Sequence, residues 1–171
     1  IDSLGPETID DYFERGLIRT VADLYKLTIT DLAGADKSRL ISAQKIVGAI
    51  EKSKQQPFER VLFALGIRFV GKVIAQTIAR HFGNIETIES STLEDMLQVE
   101  GIGPVIAQSV VAWFKEPRNK DIVEELKKHG VQTAIKKAEL LGEELKDKSV
   151  VISGTFSKHS REEYKTIIEN H

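Results

Sequence analysis

Glycines at the turns between apolar segments are the residues of this sequence best suited to binding chemistry. The stretch "GIRFVG" ends at Gly71, and "EGIGP" contains Gly101 and Gly103. A glycine just before a helix leaves no side chain over the first-turn amides, which lack partners within the helix and carry partial positive charge. Each turn therefore predicts a small site for an anion, with phosphate as the natural ligand.

Charged side chains modify the two turns differently. Arg68 and Lys72 flank Gly71 and would strengthen contact with a phosphate. The turn at Gly101 has Glu100 beside it and no neighbouring cation, so binding there would depend on the amides. The structural alternative is that glycine only makes a tight turn between packed helices, which is the commoner role for a single hairpin.

The turns recur at a fixed period, and this favours the functional interpretation. The stretches "GKVIAQTIARHF" and "GPVIAQSVVAWF" share one pattern 32 residues apart (71 to 103), and the alanines at 43, 75 and 107 keep that spacing. Such self-similarity indicates one supersecondary unit used repeatedly. A simple helical array has no need to recreate the same turn in every unit.

Each unit is predicted to be a helix, a tight turn and a second helix. In the fourth unit Thr92 caps the first helix and Asp95 completes a capping box, while Pro104 suits the first turn of the second helix. The repeated alanines are interpreted as close-packing positions. Apolar residues at helical spacing, Trp113 included, are interpreted as core rather than as a base-stacking surface. They are Phe58, Val61, Leu62, Leu65, Ile74, Ile78, Phe82, Val105, Ile106, Val110, Val111, Trp113 and Phe114.

The first two units depart from the pattern. The second replaces the turn glycines by Lys37, Ser38 and Arg39, so two cations stand where the backbone site would be. The first matches the fourth at Gly5 and its neighbours, but its leading helix would lie before residue 1. We therefore expect the chain to be part of a longer protein.

Composition restricts the function classes. The 171 residues are 41% hydrophobic and 29% charged, which is typical of a folded globular protein, and no apolar run approaches the ~20 residues that span a bilayer. There is no cysteine, hence no disulfide or thiolate metal site, which favours the cytosol. The four histidines lack ligand spacing. The net charge of −2 argues mildly against nucleic-acid binding.

The last part of the chain has a different pattern. A charged connector over residues 134–147 is followed by "KSVVISGTF", which predicts a buried β-strand. "SREEYKTIIEN" then predicts a helix with Ser160 as N-cap and Glu163 completing a capping box. A lone strand leaves its edges unpaired, so we expect it to pair with another copy of the chain or with the helical part.

These motifs resemble the tandem helix-hairpin-helix domain of bacterial NAD-dependent DNA ligases. The most specific stretch is "FERVLFALGIRFVGKVIAQTIARHFG", supported by "VEGIGPVIAQSVVAWF", and the similarity covers residues 1–133. Residues 148–171 resemble the first strand and helix of a BRCT domain. The expected fold is mainly α, with four helix-hairpin-helix units followed by a short βα segment.

The resemblance implies that the whole enzyme seals single-strand nicks using NAD, magnesium and zinc. None of these cofactors is expected to bind this part, which should be inactive alone. Its implied role in the bacterial cytoplasm, away from membranes, is to hold nicked duplex DNA by its phosphates from the minor-groove side, without reading sequence. The predicted phosphate-binding residues are Gly5, Lys37, Ser38, Arg39, Arg68, Gly71, Lys72, Gly101, Ile102 and Gly103.

Two alternatives remain open at this point. Tandem hairpins also occur in other repair and recombination proteins, and stacked helix pairs can form a protein-interaction domain. The appended BRCT-like segment argues against the first. Salt dependence separates phosphate binding from an apolar protein contact. A free-standing enzyme lacks support, because no catalytic triad or phosphate-binding loop of a nucleotide site is present.

Overall fold

The computed structural model describes residues 1–34, 36–135 and 150–154, together with 158, 160, 164 and 168. The chain divides into two compact units, Ile1–Ile135 and Lys136–His171. The described residues of 1–135 are built from helices, as predicted. The α-helices are α1 Pro6–Glu14, α2 Ile29–Ala33, α3 Leu40–Ser53, α4 Phe58–Ala64, α5 Lys72–Phe82, α6 Ile85–Ser90, α7 Leu93–Leu97, α8 Pro104–Lys115 and α9 Pro117–Lys128, and Val21–Lys26 and Lys37–Arg39 are 3₁₀ helices.

The helix-turn-helix pattern of the third and fourth units is confirmed. Helices α4 and α5 flank the third turn, and α7 and α8 flank the fourth. The Asp95 carboxylate accepts from the Thr92 amide at 2.9 Å, and the Asp95 amide donates to the Thr92 hydroxyl at 3.1 Å, which is the predicted capping box. Gly83 ends α5 with φ +77°, a conformation that favours glycine.

Two hydrophobic cores form among the described residues of 1–135. The first core joins the elements up to α3 and includes Ala43, Ile46 and Ile50. The second joins α4 to α9, with Ala75 and Ala107 completely buried where the repeat placed them. The second core also includes Phe58, Leu62, Ile67, Val70, Ile78, Ile85, Ile88, Met96, Val99, Ile102, Val110 and Phe114.

The predicted core of α8 is right except at its start. Val110 and Phe114 are buried, and Ile106 and Trp113 pack half-buried against them, so the core interpretation of Trp113 is confirmed. Val105 is 60% exposed, and its assignment to the core was wrong. It lies in the first turn of the helix, where no neighbouring element packs over its side chain.

A third, smaller cluster joins the two cores. Ala22, Val61, Leu126 and Val131 are all buried together, which packs the 3₁₀ helix Val21–Lys26 against α4 and α9. Polar contacts lie beside it. The Lys26 ammonium pairs with the Glu125 carboxylate at 2.9 Å, and the Tyr25 and Ser53 hydroxyls are 3.2 Å apart.

The strand expected after residue 148 is not confirmed. Residues 150–154 adopt no regular secondary structure, and Val151 is 86% exposed. The apolar pattern alone does not make a strand, because a strand needs the backbone of a partner. Tyr164 and Ile168 are helical, and the Tyr164 amide donates to the Ser160 carbonyl at 3.0 Å, in line with a helix after Ser160. Glu163 and most of the linker lie outside the described residues, so the BRCT assignment and self-association stay predictions.

Candidate nucleic-acid interface

Three turns share one backbone conformation. The third turn ends with residues 69–71, the fourth with 101–103 and the first with 3–5. Their first positions, Phe69, Gly101 and Ser3, have φ of +66°, +78° and +66°. The middle residue of each turn points inward: Val70 and Ile102 are buried, and Leu4 is half-buried against the first core.

The third residue of each turn is a glycine in an extended conformation that caps the following helix. Gly5, Gly71 and Gly103 have φ of −80°, −77° and −88°, with ψ between 169° and 177°. A Cβ built on any of them would meet nothing within 4 Å. The space in front of these helix starts is therefore open, as the sequence predicts.

The amides behind the open space lack acceptors. In the part of the chain that the structure describes, no hydrogen bond leaves the amides of Lys72 and Val73 in α5 or of Val105 and Ile106 in α8. Pro104 has no amide hydrogen to satisfy. Each helix start thus presents N–H donors and the positive end of a helix dipole to solvent.

Ile102 has a different place from the one predicted. Its side chain is buried in the second core, and its amide donates to the Val99 carbonyl at 3.1 Å. The equivalent Val70 amide donates to the Ile67 carbonyl at 3.0 Å. These residues anchor the turns, and neither amide is left to donate to a ligand.

The third turn carries two features that sequence reasoning missed. Phe69 adopts the left-handed conformation, which costs about 1–2 kcal/mol for a residue other than glycine, and the guanidinium of Arg68 lies 4.8 Å from its ring centre. The Ser109 hydroxyl donates to the Arg68 carbonyl at 2.7 Å, which ties the third turn to α8. The alignment of Phe69 with Gly101 across the 32-residue repeat was the available signal for the first feature.

The second turn is closed by its own carboxylate. Asp36 accepts from the Ser38 amide at 2.9 Å and the Ser38 hydroxyl at 2.6 Å, and it pairs with the Arg39 guanidinium at 3.4 Å. The hydrogen bonds from the Ser38 hydroxyl and amide hold the pKa of Asp36 below its usual range, so the group is anionic at neutral pH. The start of α3 is closed by the backbone itself, because the Leu40 amide donates to the Lys37 carbonyl and Arg39 precedes the helix in a helical rather than an extended conformation.

The three open turns differ in the charged side chains that lie beside them. Arg68 and Lys72 are exposed at the third turn, and neither forms an ion pair with any described residue. Glu7 lies in the first turn of α1, where its carboxylate competes with an external anion for the helix start. Helices α5 and α8 have no acidic residue in their first turns. The third turn is therefore the most favourable for phosphate, the fourth follows, and the first is the weakest of the three.

Among the described residues, no group of three or more histidine, aspartate or glutamate side chains is placed to hold a metal ion. A cleft of about 650 Å³ lies beside α3 and α4, lined by Lys45, Lys52 and Arg60 among others, and no residue of the third or fourth turn lines it.

None of the described helices is both long and apolar enough to cross a membrane.

Comparison with known families agrees with the geometry. The family described as "Helix-hairpin-helix motif" matches residues 60–123, which contain the third and fourth turns. The fold and the turns thus define a helix-hairpin-helix protein. Because this match excludes the first two units, the count of four units stays a prediction.

The relatives identify the family more narrowly. The chain is 46% identical over 171 residues to a DNA ligase of Parabacteroides distasonis, with 99% of this chain covered. It is 45% identical to a DNA ligase of Phocaeicola vulgatus and 46% identical to one of Bacteroides fragilis, with 100% of this chain covered in both. The chain belongs to this bacterial DNA ligase family, and it spans about a quarter (26%) of the length of these relatives.

Proposed function

We propose that this chain binds the backbone phosphates of duplex DNA, chiefly at its third and fourth turns, as part of an enzyme that seals nicks. The observation that carries the proposal is the repeated turn: a left-handed residue, a buried apolar anchor, and an extended glycine before unpaired amides. Two such turns built from different residues share a geometry whose common exposed feature is a set of N–H donors. Phosphate is the ligand that this feature suits.

The electrostatics support a backbone ligand rather than a base. The third turn adds Arg68 and Lys72 as unpaired cations, and the fourth offers amides alone. Contacts of this kind position a duplex without reading its sequence, which suits an enzyme whose nicks occur anywhere. A net charge of −2 is compatible with this, because only the surface around the two turns has to attract the ligand.

The DNA ligase relatives support the wider role. We infer that the whole protein seals nicks in an NAD-dependent reaction of replication and repair in the bacterial cytoplasm. In that reaction the segment described here holds the nicked duplex from the minor-groove side. The NAD, magnesium and zinc of such an enzyme would be bound by residues elsewhere, so this chain alone is expected to form no covalent AMP adduct.

The glycines of the two turns provide the test. Gly71→Val or Gly103→Val should weaken binding of a nicked duplex about tenfold each, because a branched side chain at an N-cap covers the amides that would otherwise donate to a charged oxygen. The open space and ordinary φ at both positions predict that the variants fold. Binding is measured by fluorescence anisotropy on duplexes of two unrelated sequences, with circular dichroism to check the fold.

Gly5→Val is the matched control. It makes the same change in the same backbone conformation, but Glu7 opposes an anion there, so a loss of less than threefold is expected. Equal losses from all three variants would contradict the assignment to the third and fourth turns. Parent-like affinity in folded Gly71→Val and Gly103→Val would refute phosphate binding by the amides.

A further inference from the structure

Exposed branched apolar residues follow the turns at one repeated position. Val73 and Val105 are the second residues of α5 and α8, two positions after the capping glycine, and their side chains are 72% and 60% exposed. Ile41 holds the same position in α3, 32 residues earlier (41 to 73), and is 68% exposed. Three units therefore place a branched aliphatic side chain in solvent at the start of the second helix.

Local structure gives no reason for this choice. Valine and isoleucine have lower helix propensity than alanine, glutamate or lysine, and the first turn of a helix is better served by a polar residue. Core packing gives none either, because the buried faces of α5 and α8 are formed by other residues, such as Ala75, Ile78, Ala107 and Val110. The exposed positions are free to be polar and are apolar all the same.

The surroundings define what could cover these side chains. Val73 lies between the unpaired amide of Lys72 and the rest of the first turn, and its own amide is unpaired. The Val105 amide is likewise unpaired. A ligand that meets both features must present an anionic oxygen and an apolar surface within one side-chain length of each other. The sugar-phosphate backbone of a nucleic acid has this composition, since each phosphate is bonded to a sugar whose carbons are apolar.

We propose that Val73 and Val105 contact the deoxyribose next to the bound phosphates and select DNA over RNA. This inference rests on the proposed function. The C2′ carbon of deoxyribose is an apolar methylene that packs against a valine methyl group. The 2′-hydroxyl of ribose would be covered by the same methyl groups without a hydrogen-bond partner, and such burial is unfavourable. The 2′-hydroxyl is the group by which proteins distinguish the two nucleic acids.

Ile41 supplies an internal control. Its turn is closed, because the Asp36 carboxylate accepts a hydrogen bond from the Ser38 amide at 2.9 Å and the Leu40 amide at the start of α3 donates to the Lys37 carbonyl. No phosphate is held beside Ile41 in the same way, so its side chain should not influence the choice of sugar. The three residues share position and exposure and differ in whether the adjoining turn is open.

The experiment compares the chain carrying Val73→Thr and Val105→Thr with the chain carrying Ile41→Thr. Threonine keeps the size of valine and replaces one methyl group by a hydroxyl that can satisfy a 2′-hydroxyl. Affinities are measured at one salt concentration for a nicked DNA duplex and for an RNA duplex of the same sequence. Differences in duplex shape act on every variant alike, so a change in the ratio of the two affinities reports the side chains.

The double variant should lower the preference for DNA over RNA about three- to tenfold, and Ile41→Thr should leave it within twofold of the parent. A ratio unchanged in the double variant, with DNA binding still dependent on salt, would overturn this inference and leave the proposed function standing. An equal change from Ile41→Thr would also overturn it. A parent chain without salt-dependent DNA binding would overturn the proposed function and this inference together.

Discussion

At the scale of the residue, the amino acids of a turn decide whether the following helix start is open or closed. The Asp36 carboxylate accepts from the Ser38 amide and hydroxyl, and the Leu40 amide donates to the Lys37 carbonyl, whereas the space in front of Gly71 and Gly103 is empty. The amides of all these turns have the same need for an acceptor. In the second turn the chain supplies its own acceptors, and where it supplies an extended glycine, an external anion can meet the need.

The cations of the third turn belong to the same scale. Replacing Arg68 and Lys72 together by alanine should lower the affinity for duplex DNA and reduce the log–log salt slope by roughly 1–2, since each phosphate neutralised contributes about −0.9. Titrations at several salt concentrations measure the slope. Replacing Lys37 by alanine is the matched control, because it removes a cation beside the closed turn and should change the slope less. A slope that stays at the parent value would show that Arg68 and Lys72 do not contact phosphate.

At the scale of the element, threonine-aspartate capping boxes start several of the short helices. Thr20 and Asp23 start one 3₁₀ helix, Thr28 and Asp31 start α2, and Thr92 starts α7 with Asp95. Helices of five or six residues are marginal by propensity alone. The caps satisfy first-turn amides within the chain, and this distinguishes these elements from α5 and α8, whose starts stay open.

The cap at Asp23 predicts a dependence of stability on pH. Burial alone would raise the pKa of Asp23, but hydrogen bonds from the Thr20 and Arg19 amides and from Lys26 lower it to about 2. Because the pKa in the folded state lies below the ordinary value of 3.8, the stabilisation is present above pH 4 and is lost as the pH falls towards 2. Asp23→Asn should lower the free energy of unfolding by about 1 kcal/mol at pH 7.

Urea unfolding at pH 7 and at pH 2.5 measures this difference, which should shrink at the lower pH. Asp95→Asn is the matched control, since Asp95 caps α7 in the same manner without a lysine partner, and it should show a smaller effect at pH 7. A destabilisation by Asp23→Asn that is equal at both pH values would contradict the assigned ionisation.

At the scale of the helical unit, residues 1–135, two cores are joined by one small cluster. Leu126 and Val61 are buried in it, and the Lys26–Glu125 ion pair lies alongside. The hydrogen bond from Ser109 to the Arg68 carbonyl fixes the third turn against α8 within the second core. The placement of the first turn relative to the third therefore depends on the joining cluster. The placement of the third turn relative to the fourth does not depend on it, because both belong to the second core.

Leu126→Ala should lower the free energy of unfolding by about 2–4 kcal/mol and separate the unfolding of the two cores. Trp113, the single tryptophan of the chain, packs against the second core, so its fluorescence follows that core while circular dichroism follows all helices. Two non-coincident urea transitions are expected for this variant. Leu24→Ala, within the first core, is the control that should destabilise the chain while the fluorescence and circular dichroism transitions stay coincident. Coincident transitions in Leu126→Ala would show that the cluster does not couple the cores.

The sequence by itself determined the helical architecture of residues 1–135 and the position of the open turns. Periodic apolar residues, capping residues and glycines act through neighbours a few positions apart, so their effects can be read from the chain. Gly71 and Gly103 were predicted before helices as N-caps, and the structure places them there. The repeat even carried the signal for Phe69, although the amino acid itself argued against a left-handed conformation.

Tertiary structure decided the rest. Val105 matched the apolar pattern of α8, yet no neighbouring element covers its position, and burial depends on such neighbours. The contact from Ser109 to the Arg68 carbonyl joins residues 41 positions apart, beyond any local pattern. The strand expected after residue 148 stays unconfirmed for the same reason, since strand pairing is a contact with another backbone and cannot be read from one segment.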